Sequence, residues 1–244
     1  MRNQNNITYS HTVSTIYNSD GTVKEFQREK YLPKIKFLEN HYGNKFNGIT
    51  ILDVGIGYGA FLSLLEEYVN YENLFGMDPF EESIKIAQNF ISAIIKKGQI
   101  ENENWPFSEK YFDVITCFDV LEHLRKPKIF LGRAKRYLKP NGIVLISTPN
   151  KQLPYLLRSV PVVGIPDGNP THINVRKPNY WKRLAICNNW DIIQSWKGEH
   201  LTHIKYVPQI LSQIFRFIKL DHRKVLLINA FEQSFCLILQ PKKE

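Results

Sequence analysis

Cysteine is scarce and unclustered in this sequence: Cys117, Cys187 and Cys236 stand far apart, with no C-x-x-C spacing. That excludes a disulfide framework and a cysteine-ligated zinc site, and leaves the three as small core residues. No apolar run approaches the roughly 20 residues that a membrane span needs. The opening MRNQNNITYSHTVS is polar and has no apolar core of a signal segment. A cytoplasmic location without a membrane span is therefore expected. No internal repeat is present, and 43% hydrophobic with 23% charged residues are ordinary globular proportions, against a fibrous or disordered chain.

Charge of one sign is also not concentrated. The formal net charge of +9 admits an anionic partner, but the lysines and arginines are spread along the chain. Nucleic acid is thus a possible partner and not the favoured one. At 244 residues, the chain is read as a single domain over 1–244, with an N-terminal cap over 1–48, a ligand-binding half over 49–150, and a lid with the substrate-side half over 151–244.

What is present is an alternation. Residues 1–22 read as a polar lead-in, and KEFQREKYLPKIKFLENHYG as a cap helix or helix pair interrupted by Pro33 and closed near Gly43. Strand ITILDV, helix AFLSLLEEYV, strand NLFGMD, helix PFEESIKIAQNF, strand IIKKGQI, strand FDVITCFD, helix KIFLGRAKRYLKPNG and strand GIVLISTPN follow in order. Strands alternating with helices predict a parallel, doubly wound α/β sheet. After Pro149 a long loop reads as a lid. Helix YWKRLAICNNW, strand WDIIQSW, the apolar and basic segment 206–220 and strand FEQSFCLILQPKK complete the chain, the last two strands being candidates for an antiparallel pair.

In a doubly wound sheet the ligand sits beyond the carboxyl ends of the strands, where strand order reverses. Here that place is ILDVGIGYGAF, with glycines at 55, 57 and 59. The spacing departs from the G-x-G-x-x-G of dinucleotide sites, and no Lys-Ser/Thr pair follows for a phosphate loop. Asp78 closes the next strand about 20 residues on, where a carboxylate can take both hydroxyls of an unphosphorylated ribose. Asp53, ahead of the first glycine, would repel a pyrophosphate and suits a ligand bearing an ammonium group. A nucleoside carrying an amino acid and no phosphate is S-adenosylmethionine.

With ILDVGIGYGAF, LFGMDPFEESIKIAQ, WPFSEKYFDVITCFDVLEHL and LKPNGIVLISTPN in that order, the chain resembles the class I S-adenosylmethionine-dependent methyltransferases, nearest in motifs to the small-molecule O-methyltransferases of the ubiquinone-biosynthesis type. The resemblance is strong over 49–150 and extends to about 190. It implies a Rossmann-like seven-stranded sheet with the last strand antiparallel, and S-adenosyl-L-methionine as cofactor. By resemblance, Gly55, Gly57 and Gly59 line the methionine moiety and Asp78 holds the ribose. Met77 or Pro79 flanks the adenine, Gln99 and Ile100 sit where the adenine amino group is read, and Phe118 borders the sulfonium.

FDVLEHL brings Asp119, Glu122 and His123 onto one turn, and His172 lies in the loop expected over the same pocket. Acids with histidines can hold a divalent metal, and small-RNA 2′-O-methyltransferases use a similar group. Asp119 departs from that pattern, so a structural role is preferred and no metal is assigned. His172 is the candidate catalytic base for an alcohol or phenol acceptor, with Asp167 orienting its ring. Trp181, Trp190 and Trp196 read as packing.

No N-P-P-Y segment or Pro-Cys nucleophile follows the fourth strand, which argues against base methylation. The reading is methylation of a small-molecule oxygen, on a sugar, phenol or secondary metabolite. The alternatives are a metal-dependent RNA 2′-O-methyltransferase and a non-methylating binder of the same cofactor.

Overall fold

The computed structural model describes residues 9–149, 171–197 and 234–243. Seven strands form one sheet, β1 (Ile51–Val54), β2 (Leu74–Asp78), β3 (Ile94–Lys97), β4 (Phe112–Phe118), β5 (Leu138–Pro149), β6 (Trp190–Lys197) and β7 (Ser234–Pro241). Their order is β3-β2-β1-β4-β5-β7-β6. β1 pairs in parallel with β2 and β4, and β2 with β3. β7 runs antiparallel to both β5 and β6, so the expected antiparallel pair forms and β7 is its inner member. This is a doubly wound Rossmann-like sheet whose last strand is reversed. Contacts divide the chain into two compact units, residues 1–116 with 137–139, and 117–136 with 140–244.

In the first unit the helices are α1 (Tyr9–Ile16), α2 (Glu25–Tyr42), α3 (Ala60–Leu65) and α4 (Glu81–Ala87). β1 and β2 are buried on both faces, which is why they read as unbroken apolar runs. α3 buries Phe61, Leu64 and Leu65. Of the cap helix or helix pair expected here, a single helix forms, α2, with Pro33 inside it. The lead-in is not a plain polar tail: α1 delivers Tyr17 to the interior, 4% exposed, and Tyr17 bridges to Val23 across a turn at Asp20 and Gly21.

The second unit holds α5 (Lys128–Tyr137) and α6 (Pro178–Cys187), counting each element with the unit that carries most of it. Val144, Leu145 and Ile146 on β5 and Leu237, Ile238 and Leu239 on β7 are fully or almost fully buried. Trp181 and Trp190 are buried as packing residues, as expected. Cys117 and Cys236 are buried too, but Cys187 at the end of α6 is exposed and is not a core residue. α5 stops at Tyr137 and the chain enters β5 immediately, so Lys139, Pro140 and Asn141 belong to the strand and not to a helix terminus. Lys139 is fixed there by an ion pair to Asp113 at 2.7 Å. Among the described residues no helix is long and apolar enough to cross a membrane. Residues 151–170 of the expected lid and the segment 206–220 lie outside the described residues.

Candidate active site

The loop after β1 is tied to the neighbouring strand at its root. The N–H groups of Gly55 and Ile56 both donate to the Met77 carbonyl, at 2.7 and 3.3 Å. Gly55, Gly57 and Gly59 then adopt φ of +82°, +53° and +83°, a left-handed region that costs an L-residue with a Cβ about 1–2 kcal/mol. Two of these glycines serve different ends. A Cβ on Gly59 would lie 2.9 Å from Ile91 Cδ1 and 3.3 Å from Ala87 Cβ, whereas one on Gly57 would meet nothing within 4 Å. Gly59 therefore permits packing, and Gly57 fronts open space against which a ligand can lie on bare backbone.

Asp78, 5% exposed, ends β2 beside this loop. Its Oδ2 accepts from the Gly57 N–H at 3.0 Å and its Oδ1 from the Phe80 N–H at 2.9 Å. Burial raises the pKa of this carboxyl, and the two N–H donors oppose the rise. Asp53 lies opposite Thr116 in the β1–β4 register, and the Thr116 hydroxyl donates to its Oδ1 at 2.6 Å. Burial pushes the Asp53 carboxyl up to about 7, the Thr116 bond works against this, the Asp78 charge adds to it and the Lys30 charge subtracts. Such a group is poised to be held ionised by a nearby cation.

The adenine-side candidates are placed as follows. Met77 is buried, its sulfur 2.6 Å from where a Cβ on Gly98 would stand, so Gly98 is required by this contact. Pro79 is half-buried and Gln99 exposed. Ile100 is buried, with its carbonyl accepting from Trp105 Nε1 at 3.4 Å. Trp105 is itself stacked on Tyr137, ring centroids 5.0 Å apart. Two acids, open space over Gly57 and no phosphate-type cradle fit a nucleoside with an amino-acid arm, as S-adenosylmethionine is.

Sequence reasoning missed Tyr17. Its hydroxyl donates to the Tyr58 carbonyl, inside the glycine loop, at 2.8 Å, and its ring stacks on Phe90 with centroids 3.8 Å apart. The available signal was the Asp20-Gly21 turn with Tyr17 and Val23 on either side, a short hairpin pattern inside a polar stretch.

The second unit gathers a different group. Phe118 is buried at the end of β4, and Asp119 follows with φ of +54°. The Asp119 N–H donates to the Ser147 carbonyl at 2.9 Å, and the Ser147 hydroxyl donates to Asp119 Oδ1 at 3.4 Å. Residues Leu121–His123 form a short 3₁₀ turn. Glu122 is fully buried there: its Oε2 accepts from the Thr148 hydroxyl at 3.3 Å and its carbonyl from the Asn174 N–H at 2.8 Å.

His123 Nδ1 lies 2.8 Å from Thr171 Oγ1 and 3.2 Å from the Thr171 carbonyl, while its Nε2 is 4.0 Å from Glu122 Oε1. The His172 ring packs edge-on to His123 at 4.7 Å between centroids. One ligand-type atom from each of Glu122, His123 and His172 lies within 4.8 Å of the others. Asp119 is outside this trio, and Asp167 lies outside the described residues.

Comparison with known proteins is consistent with this geometry. A family model described as a methyltransferase domain matches residues 23–195. The chain is 29% identical to a ubiquinone biosynthesis O-methyltransferase of Idiomarina loihiensis, over 72% of this chain and 75% of that one. It is 34% identical to a mitochondrial ubiquinone biosynthesis O-methyltransferase of Mus musculus, over 48% of this chain but only 34% of that one. In fold it resembles a SAM dependent methyltransferase from Archaeoglobus fulgidus, with a TM-score of 0.56, 21% identity, and coverage of 87% of this chain and 96% of that one.

Proposed function

The chain belongs to the S-adenosylmethionine-dependent methyltransferases, and on that premise we propose that it methylates an oxygen atom of a small molecule in the cytoplasm. In this reading residues 1–244 act as one methyltransferase domain. The oxygen assignment rests on one observation, the gathering of His123 and His172 around the buried carboxylate of Glu122. An amine acceptor in its neutral form needs no base to attack, whereas a hydroxyl must lose its proton, and that cluster is suited to take it. The names of the relatives, ubiquinone biosynthesis O-methyltransferases, support a small aromatic or hydroxylated acceptor.

The cofactor supplies a methyl carbon on a positively charged sulfur. The chain's own part is to hold and orient. Asp78 binds the ribose hydroxyls, Asp53 faces the ammonium group, Gly57 offers backbone to the methionine arm, and Met77, Pro79, Gln99 and Ile100 enclose the adenine. Alignment of the acceptor oxygen with the methyl carbon accounts for most of the acceleration in an in-line displacement. His172 would take the acceptor proton and leave the oxygen lone pair free to attack the methyl carbon that the bound cofactor would supply, with the neutral thioether as the leaving group. Asp167 orients His172 in this reading.

The experiment is incubation of purified protein with methyl-labelled cofactor and separate pools of small phenols, sugars and RNA. Label in an ether of the small-molecule pool is the expected result. Label confined to RNA would replace this reading with the ribose 2′-hydroxyl one, and cofactor binding with no transfer to any pool would leave only a binding protein. His172→Ala is expected to lower kcat while S-adenosylhomocysteine affinity stays within about twofold.

A further inference from the structure

We propose that the acceptor carries a phosphate or diphosphate group, held by a rim of cations beside His123 and His172: Arg125, Lys126, Lys128, Arg176 and Lys177. The inference rests on the O-methylation reading and deepens it, since it names the chemical class of the molecule whose hydroxyl is methylated.

Three observations carry it. The first is that the second unit gathers charge which is spread along the sequence. The turn after β4 continues from His123 into Arg125, Lys126 and Lys128, and the loop ahead of α6 runs from His172 to Arg176 and Lys177. Asn174 ties these two segments together: its N–H donates to the Glu122 carbonyl at 2.8 Å and its Nδ2 to the Leu124 carbonyl at 3.2 Å. Two basic runs far apart in sequence thus flank the two imidazoles.

The second is a lack of counter-charge. All five side chains belong to exposed residues, and among the described residues none of them forms an ion pair with a carboxylate. From Leu124 to Trp190 the sequence has a single acid, Asp167. Glu122, just before the first run, is fully buried and turned to Thr148. Like charges on one rim repel one another, and a bound polyanion relieves that repulsion while being drawn in by the same field.

The third is the placement of Arg176. Its Nε donates to Asn174 Oδ1 at 2.7 Å, and its guanidinium carbon stands 5.3 Å from the centroid of the Tyr180 ring. Asn174 is itself only 6% exposed. The guanidinium is therefore aimed by a buried amide and an aromatic face, and its two terminal nitrogens form a fork that matches two phosphate oxygens. A fork already placed loses less rotamer freedom on binding. A monocarboxylate would be satisfied by Arg176 alone, whereas the full rim fits the two or more charges of a phosphoryl group. Cations close to the reacting hydroxyl would also stabilise the negative charge that develops on its oxygen as the proton leaves.

The test is calorimetric titration of the full chain, loaded with S-adenosylhomocysteine, with pyrophosphate at fixed ionic strength. Saturable binding at one site per chain is expected, about tenfold weaker in Arg176→Ala and only partly restored in Arg176→Lys, which keeps the charge but not the fork. Lys126→Ala should weaken it as well, while Lys85→Ala, on α4 in the first unit, should leave it unchanged. S-adenosylhomocysteine affinity should be the same in all four variants. In parallel, a small-molecule extract is incubated with methyl-labelled cofactor before and after digestion with phosphatase and phosphodiesterase, and labelling is expected to be lost on digestion. No saturable pyrophosphate binding, equal binding in Arg176→Ala, or binding to phosphatidylglycerol vesicles in place of pyrophosphate overturns the proposal. Small-molecule labelling that survives digestion in full overturns it too, and leaves O-methylation standing. Label in RNA alone, or in no pool, would instead remove the O-methylation reading itself.

Discussion

Asp78 and Gly57 are joined by a 3.0 Å hydrogen bond from the glycine N–H to the carboxylate, so the acid expected to hold a ribose also braces the loop that faces it. The same carboxylate receives the Phe80 N–H at 2.9 Å, which sets its orientation from its own strand end. Hydrogen bonds to an ionised group are each worth about 1.5–3 kcal/mol. Asp78→Ala is therefore expected to weaken S-adenosylhomocysteine by about tenfold to a hundredfold and to lower Tm as well. Calorimetry with thermal melts checks both, and an unchanged Kd would remove Asp78 from the site.

The two inner glycines should respond differently to the same change. Alanine at Gly57 meets open space, so its stability cost is the backbone strain of about 1–2 kcal/mol, but its methyl would occupy the surface proposed for the cofactor. Alanine at Gly59 adds a clash with Ile91 and Ala87 to comparable strain. Gly57→Ala is expected to lose affinity by more than about tenfold with a modest Tm change, and Gly59→Ala to lose more stability. The reverse ranking would place the ligand elsewhere.

Asp53 is expected to make cofactor binding depend on pH. Its carboxyl, pushed up to about 7 by burial, is protonated in much of the free protein at neutral pH, while the ammonium of the ligand favours the ionised form. Affinity for S-adenosylhomocysteine should rise with pH up to about 7 and level off above it, with proton release visible as a buffer-dependent binding enthalpy. The stability consequence runs the other way. An acid whose pKa is raised on folding contributes fully below its unfolded value of 3.8, and that contribution is lost as pH climbs through about 7. Asp53→Asn should flatten both profiles, and a slope that persists would assign it to another group.

Tyr17 is expected to matter through one hydroxyl. Tyr17→Phe keeps the stacking on Phe90 and removes the 2.8 Å bond to Tyr58, a loss of about 0.5–1.5 kcal/mol for one neutral hydrogen bond. Melting and cofactor dissociation rates report the result. Faster dissociation with little change in association would show that the N-terminal hairpin steadies the loop, and no change in either would make the contact incidental.

The order of strands and helices, the position of the glycine loop and the acids at 53 and 78 were all legible in the chain, because each depends on local chemistry. Periodicity marks elements, and a glycine at positive φ or an acid at a strand end has few other uses. Tyr17 was not, since its burial depends on Phe90 and Tyr58, which lie more than forty residues on. Cys187 and the tail of α5 were misplaced for a related reason: residue type says what can be buried, not which helix face or strand register will bury it.

The trio in the second unit is the clearest division. DVLEH announced two acids and an imidazole and THIN a further imidazole, but four residues were candidates and no spacing could choose among them. Folding hands Asp119 to Ser147, turns His123 on the Thr171 carbonyl, and brings His172 from almost fifty residues away onto its edge. Local pattern decides which groups a strand or turn can offer; which groups meet is settled by non-local pairing, whose geometry exists only once the sheet has closed around it.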